Sequence, residues 1–327
     1  MTGALVVNAD DLGVSRGATL AIVKAHREGI VTSASLAVTT PFYEHALEAC
    51  ARTNPGLGLG LHFTLTSGSP VSPLRSVPLL VDGAGAFRWR FLPLLRSAAP
   101  RRRSNLLDQI ELELEAQLQR VIRDGVQVDH IDGERHIHLI PGIFERVAAA
   151  AKRHDIPFLR LGSEMDIPVR GHAAGLLTRG GFAKSWLLSA LSRRARRCLG
   201  ANAESRVRSA DHFASYRYSG RLDLVLKGIL ERPPPPGVTE IMVHPGIPEE
   251  SLGLVLGNRE LERYLALEDR RKELDACIEA RRWLIGDAIG TMRSKVPGEA
   301  DRDADEGGVG WKLTTFRSLA KERTGRR

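Results

Sequence analysis

The 327 residues are 43% hydrophobic and 26% charged, the balance of an ordinary globular enzyme with enough apolar material for a sizeable core. Three cysteines, Cys50, Cys198 and Cys277, are odd in number and widely spaced, which excludes a disulfide framework or a cysteine zinc site. The formal charge of +8, from 47 Lys+Arg against 39 Asp+Glu, is informative only through where the excess sits.

In chain order, Leu5 to Ala9 is an apolar run of strand length ending in Asp10-Asp11, followed by a helix from the N-cap Ser15 to Glu28, closed by Gly29. Ile30 to Val38 reads as a strand, Pro41 to Thr53 as a helix and Leu57 to Leu65 as a third strand. Residues 67–104 break this rhythm with Pro, Gly and Arg and read as an insertion or lid. Leu106 to Arg123 is helical, Val128 to Ile140 extended, Pro141 to Arg153 helical and Phe158 to Leu161 a short strand. A second, basic insertion covers 163–210. Leu222 to Leu230 is a helix, Thr239 to His244 a late strand and Leu261 to Ala280 a closing helix. The alternation predicts βα units and a mostly parallel sheet or barrel occupying 1–293 as one domain. The polar, Gly-rich stretch 294–327 is expected to be a disordered tail.

Two basic stretches mix Arg with large apolar residues, Phe87 to Arg103 and Lys184 to Arg197. That composition suits contact with an anionic membrane, or a solvated helix face covering the domain. No nucleic-acid reading module accompanies the charge, so no nucleic-acid partner is expected. The opening residues carry no basic leader and no segment approaches the ~20 apolar residues of a bilayer span, so the expected location is cytoplasmic, with possible membrane association at the inner face.

The densest chemical signal is His130-Ile131-Asp132-Gly133-Glu134-Arg135-His136-Ile137-His138. In an extended strand His130, Asp132, Glu134, His136 and His138 would share one face. Burying five ionisable groups unpaired is costly, so that face is expected to line a wet cleft or surround a cation, with at most two of the five on one ion. Asp10-Asp11 ends the first strand, where α/β enzymes assemble their sites. One of the two carboxylates can bind a metal while the other faces a water. His62 and His244 each end a strand; His244 suits a general acid.

Asn8-Ala9-Asp10-Asp11-Leu12-Gly13, Thr32 to Ser35, Gly60-Leu61-His62-Phe63, the His130 to His138 run and Val243-His244-Pro245-Gly246 resemble, in order, the YdjC/ChbG family of carbohydrate deacetylases over roughly residues 4–290. The resemblance implies an irregular, TIM-like (β/α) barrel that removes acetyl groups from N-acetylated sugars with one divalent metal ion. It further implies Asp11 and His62 as metal ligands, Asp10 as catalytic base and His244 as catalytic acid. The family's third ligand is usually a histidine, and that position here is Glu134, which leaves magnesium or zinc open; His136 taking over, or a weakened site, are the alternatives. Arg135 likewise replaces a residue that is often polar or His. His136, His138, Asp211 and His212 are expected to contact substrate. The sugar is expected to be free or lipid-linked. The competing readings are a two-metal phosphohydrolase and a catalytically silent sugar or membrane binder.

Overall fold

The computed structural model describes residues 2–98, 104–163, 181–201, 206–215, 223–248, 259–292 and 310–324. It is an α/β fold. The strands β1 (Thr2–Leu12), β2 (Ser33–Leu36), β3 (Gly58–Phe63), β4 (Val128–Gly133), β5 (Phe158–Leu159), β6 (His212–Ala214) and β7 (Val238–Val243) form one parallel sheet in the order β5-β4-β3-β2-β1-β7-β6. A lone parallel bridge, Phe158↔Arg208, ties β5 to the chain just ahead of β6. Among the described residues these seven strands follow one another along the sheet and an eighth pairs with β1 off that path, so a closed, regular TIM barrel is not formed by them.

Helices cover the outside: α1 (Arg16–Glu28), α2 (Tyr43–Ala46, continuing as a π-helical stretch Leu47–Arg52), α3 (Phe91–Ser97), α4 (Ser104–Arg123), α5 (Ile143–Arg153), α6 (Gly181–Gly200) and α7 (Asp223–Leu230). The local code is plain in α1. Ser15 caps it by accepting the Ala18 N–H at 3.0 Å, and Ala18, Ala21, Ile22 and Ala25 recur at helical spacing on its buried face. Along the strands apolar residues alternate with polar ones. Leu59, Leu61 and Ile131 join the apolar core, whereas Asn8, Asp10, Ser35, His130 and Asp132 make hydrogen bonds with one another or with Arg160 across the sheet's interior. Gly60 is required there, because a Cβ on it would lie 2.3 Å from Cε1 of His130.

Three expectations are corrected. The extended stretch ends at Gly133. Glu134–Leu139 is a 3₁₀ segment with Arg135 (φ 54°) and His136 (φ 61°) in the left-handed region, so the five ionisable residues do not share one strand face. The closing helix is two helices, α8 (Arg259–Leu265) and α9 (Asp269–Met292), separated by a turn. The expected tail is ordered over 310–324: β8 (Gly310–Leu313) pairs with Thr2–Leu5 of β1, and α10 (Phe316–Thr324) follows. Phe316 is buried against Val6 and Phe158, and its ring centroid lies 4.8 Å from those of Phe158 and His130. The rest of 294–327 lies outside the described residues. Within the two insertions, 91–97 and 181–200 are helical. No helix among the described residues is long and apolar enough to cross a membrane.

Candidate metal and catalytic centre

The site lies where the parallel strands end. A register shift between Ala9 and Leu12 marks a bulge at the end of β1, and Asp11 adopts φ 69°. Neighbouring strand side chains normally diverge, but this twist lets both carboxylates serve one centre. Asp10 turns to Arg160 and Asp11 to His62 and Arg270.

His62 is fixed by Asp132, whose Oδ1 lies 2.7 Å from Nδ1. With the carboxylate ionised, Nδ1 is the donor, and Nε2 is left facing Oδ1 of Asp11 at 3.8 Å. This is the carboxylate–histidine arrangement that orients an imidazole toward a metal. Burial disfavours the imidazolium of His62, but the Asp132 charge and hydrogen bond outweigh it and raise the pKa to about 9. Burial likewise opposes ionisation of Asp11, yet Arg270, His244 and His62 bring its pKa down to about 2. Asp132 is held well below the usual range in the same way, the Arg160 and His62 charges overcoming burial.

Arg160 is 2% exposed and organises the interior. It grips both oxygens of Asp10 at 2.6 and 2.7 Å, and reaches Oδ2 of Asp132 and Oε1 of Glu240 at 2.7 Å each. Asp10, His62 and Asp132 form a buried group whose ligand atoms all lie within 4.8 Å of one another and could hold a metal ion.

A second layer comes from α8 and α9. Arg270 donates to Oδ2 of Asp11 at 2.8 Å and its guanidinium lies 4.6 Å from the Tyr264 ring centroid. Glu273 accepts the backbone N–H of His244 at 2.6 Å and its Oε2 lies 4.0 Å from Nδ1 of that ring. Nε2 of His244 in turn stands 4.0 Å from Oδ2 of Asp10.

The structure therefore brings together Asp10, Asp11, His62 and His244. Glu134 stands beside them and is buried, but its Oε2 accepts hydrogen bonds from Thr66 and, at 3.0 Å, from Ser67; burial raises its pKa, with the hydroxyl contacts opposing. His138 is fully buried with Nε2 3.0 Å from the Arg160 carbonyl, and burial lowers its pKa to about 4. His136, left-handed and buried, meets the Phe213 ring edge-on at 6.5 Å. Asp211 and His212 correct an expectation. Asp211 accepts the Val238 N–H and Nε2 of His212 lies 3.1 Å from the Pro236 carbonyl, at the opposite ends of β6 and β7 from His244, roughly 16 Å away along the strand. Of that segment Phe213 faces the centre, with the Arg160 guanidinium 5.9 Å from its ring centroid. Sequence reading missed Asp132 as the His62 partner, and it missed Arg160, Glu240, Arg270 and Glu273. Two signals were present: a lone Arg in the apolar run Phe158-Leu159-Arg160-Leu161, and a lone Glu in Thr239-Glu240-Ile241.

The model of the YdjC-like protein family matches residues 4–282. The chain belongs to this family. A carbohydrate deacetylase of Brevibacillus brevis is 46% identical over 153 residues, covering 47% of this chain and 57% of that protein. A chitooligosaccharide deacetylase of Proteus mirabilis is 41% identical over 158 residues, 48% of this chain and 58% of that protein. The chain thus spans a little over half the length of these family members. A crystal structure from Enterococcus faecalis, described as a cellobiose-phosphate cleavage protein, superposes with a TM-score of 0.63 at 21% identity over 98% of this chain and 99% of its own, which shows the shared fold.

Proposed function

We propose that this YdjC-like protein is a metal-dependent carbohydrate deacetylase that hydrolyses the linear N-acetyl amide of a sugar, free or lipid-linked, in the cytoplasm. The observation that carries the reading is Nε2 of His62, aimed by Asp132 at the free oxygen of Asp11 beside the Asp10–His244 pair. The donor chemistry fits one divalent ion: an imidazole nitrogen and a carboxylate oxygen face each other at 3.8 Å, and Glu134, buried close by with Oε2 bonded to Thr66 and Ser67, would have to move in to supply a second carboxylate. Oxygen-rich coordination of this kind suits magnesium as well as zinc. Asp10 and Asp132 are the poorer donors, because Arg160 already occupies both oxygens of the first and, with His62 and Ser35, those of the second.

A divalent ion held by Asp11, His62 and Glu134 would polarise the amide carbonyl and acidify the attacking water. Asp10, held in place by Arg160 and Asn8, accepts the proton of that water. His244, positioned by Glu273 next to Asp10, protonates the departing amine. The buried walls keep bulk water from the carboxylates.

The test is acetate release from N-acetylhexosamine compounds, free and lipid-linked, with added zinc, magnesium, manganese or cobalt. Asp10→Asn should lower release by at least about 10²-fold while metal content and the far-ultraviolet spectrum stay unchanged. No acetate from the native protein with any of the metals, or undiminished release by the folded variant, overturns the reading.

A further inference from the structure

Leu92 and Trp186 are 58% and 63% exposed, the most exposed of the large hydrophobic side chains among the described residues. They belong to the two basic, apolar stretches of the sequence, and the fold places both beside the centre. The helices that bear them, α3 and α6, each pack against the 3₁₀ segment Glu134–Leu139, which follows β4 at the ends of the strands where the site lies.

Cations encircle the same place. Glu260, on α8, pairs with Arg135 at 3.2 Å and also feels the charge of Arg90, the residue that opens α3. Arg135 is in turn close enough to repel the ammonium of Lys184, two residues before Trp186. Arg88 is exposed beside them in sequence. Arg90 and Arg135 thus flank Glu260, Lys184 lies near Arg135, and Arg88 stands two residues before Arg90, so four cations gather on the segments that carry the exposed leucine and tryptophan. The arginines farther along α6 differ. About 15 Å from Lys184 at 1.5 Å per residue, Arg194 is engaged by Glu145, and Arg196 donates to the Ala210 carbonyl.

From this arrangement we propose that the rim of the site is a docking surface for an anionic phospholipid bilayer, with Leu92 and Trp186 entering the interface and Arg88, Arg90 and Lys184 meeting the headgroups. Tryptophan with neighbouring Arg and Lys is the interfacial combination, and each cation at an anionic surface adds to binding. The occupant follows from charge complementarity: a hydrophobic protein partner would not call for four cations. The proposal deepens the deacetylase reading and rests on it in one respect only, that a bilayer seated on this rim presents a lipid-borne sugar directly to the centre.

The experiment is sedimentation of the full chain with phosphatidylcholine vesicles, with and without phosphatidylglycerol, at low and high salt. The native protein should bind the anionic vesicles and be released by salt. The double variant Leu92→Ser/Trp186→Ser should lose about tenfold or more of its partitioning. Arg193→Gln/Arg197→Gln, two exposed arginines on the distal part of α6, should keep it. Failure of the native protein to sediment, equal binding to neutral vesicles, or equal losses in both variants overturns the docking surface. Acetate release from a soluble acetylated sugar is measured in parallel: if it is absent, the enzymatic reading fails whatever the vesicles show, and if it is present without vesicle binding, only the docking surface fails.

Discussion

Proton competition at His62 provides a quantitative test of the centre. In the metal-free protein the Asp132 charge and hydrogen bond, working against burial, raise the His62 pKa to about 9, so at pH 7 only about one molecule in a hundred carries the neutral imidazole that a metal needs. Displacing that proton costs about 3 kcal/mol at pH 7, two pKa units at 1.36 kcal/mol each. The apparent dissociation constant for zinc or manganese should therefore fall about tenfold per pH unit from pH 6.5 to 8.5, and one proton should be released per ion bound. Titration calorimetry in two buffers of different ionisation enthalpy measures both quantities. Asp132→Asn removes the charge that raises the pKa, so the slope should flatten above about pH 6.5 and proton release at pH 7.5 should shrink toward zero. Metal binding that is independent of pH over this range, with no proton released, would refute the assignment of Nε2 as a donor. The same shift carries a stability signature in the metal-free protein. A pKa raised on folding contributes stability that is fully present below about pH 6.5 and is lost as pH rises through about 9.

Two further outcomes follow from buried contacts. Arg270→Met leaves the buried Asp11 carboxylate without its guanidinium and should cost about 2 to 3 kcal/mol at pH 7 in urea unfolding; because the Asp11 pKa is depressed to about 2, this contribution is present above about pH 4 and fades as pH falls through 2, so an equal loss at pH 7 and at pH 2.5 would count against the ion pair. Phe316→Ala should destabilise the protein by about 3 to 5 kcal/mol, since the ring fills the space between Val6, Phe158 and His130; an unchanged urea midpoint would show that the C-terminal segment is not docked as described.

Period-two and period-3.6 patterns made much of the fold legible. Ser15 and Gly29 bound the first helix as their types suggest, and β1, β2, β3 and β7 lie within or close to the apolar runs that announced them. The histidine run misled for a local reason. Alternation of His, Asp and Glu imitates a strand, whereas Arg135 and His136 turn left-handed after Gly133, a conformation that spacing does not reveal. The tail misled for a non-local one. Gly310–Leu313 is short and follows a polar, Gly-rich stretch, and it becomes a strand by pairing with the start of β1 while Phe316 packs against Val6 and Phe158. At the centre, Asp10, Asp11, His62 and His244 were visible because each ends a strand. Arg270 and Glu273 were not, because they lie on a helix more than 250 residues from Asp11 and more than 25 from His244, in a context that reads as an ordinary charged surface. Asp211 and His212 looked suitable by type, yet type alone does not tell which end of a strand a residue occupies.

Charge balance supports the proposal that these residues hold a cation and are not merely a polar interior. Asp10, Asp11, Asp132 and Glu240 are all buried near one another, and the guanidiniums that meet them are those of Arg160 and Arg270. Burial raises the pKa of Glu240, with Arg160 opposing, whereas Asp11 and Asp132 are held ionised. Several buried carboxylates share these two guanidiniums in a poorly solvated space, where negative charge is costly unless it is matched. In the metal-free protein the proton on His62 helps to match it, which is why that pKa rises when burial alone would lower it. A divalent ion held by His62 and Asp11 would supply the same neutralisation with a stronger field, and its binding would displace the His62 proton. The raised histidine pKa and the proposed affinity for metal would thus be two expressions of one electrostatic imbalance, set by Asp132 and limited by Arg160.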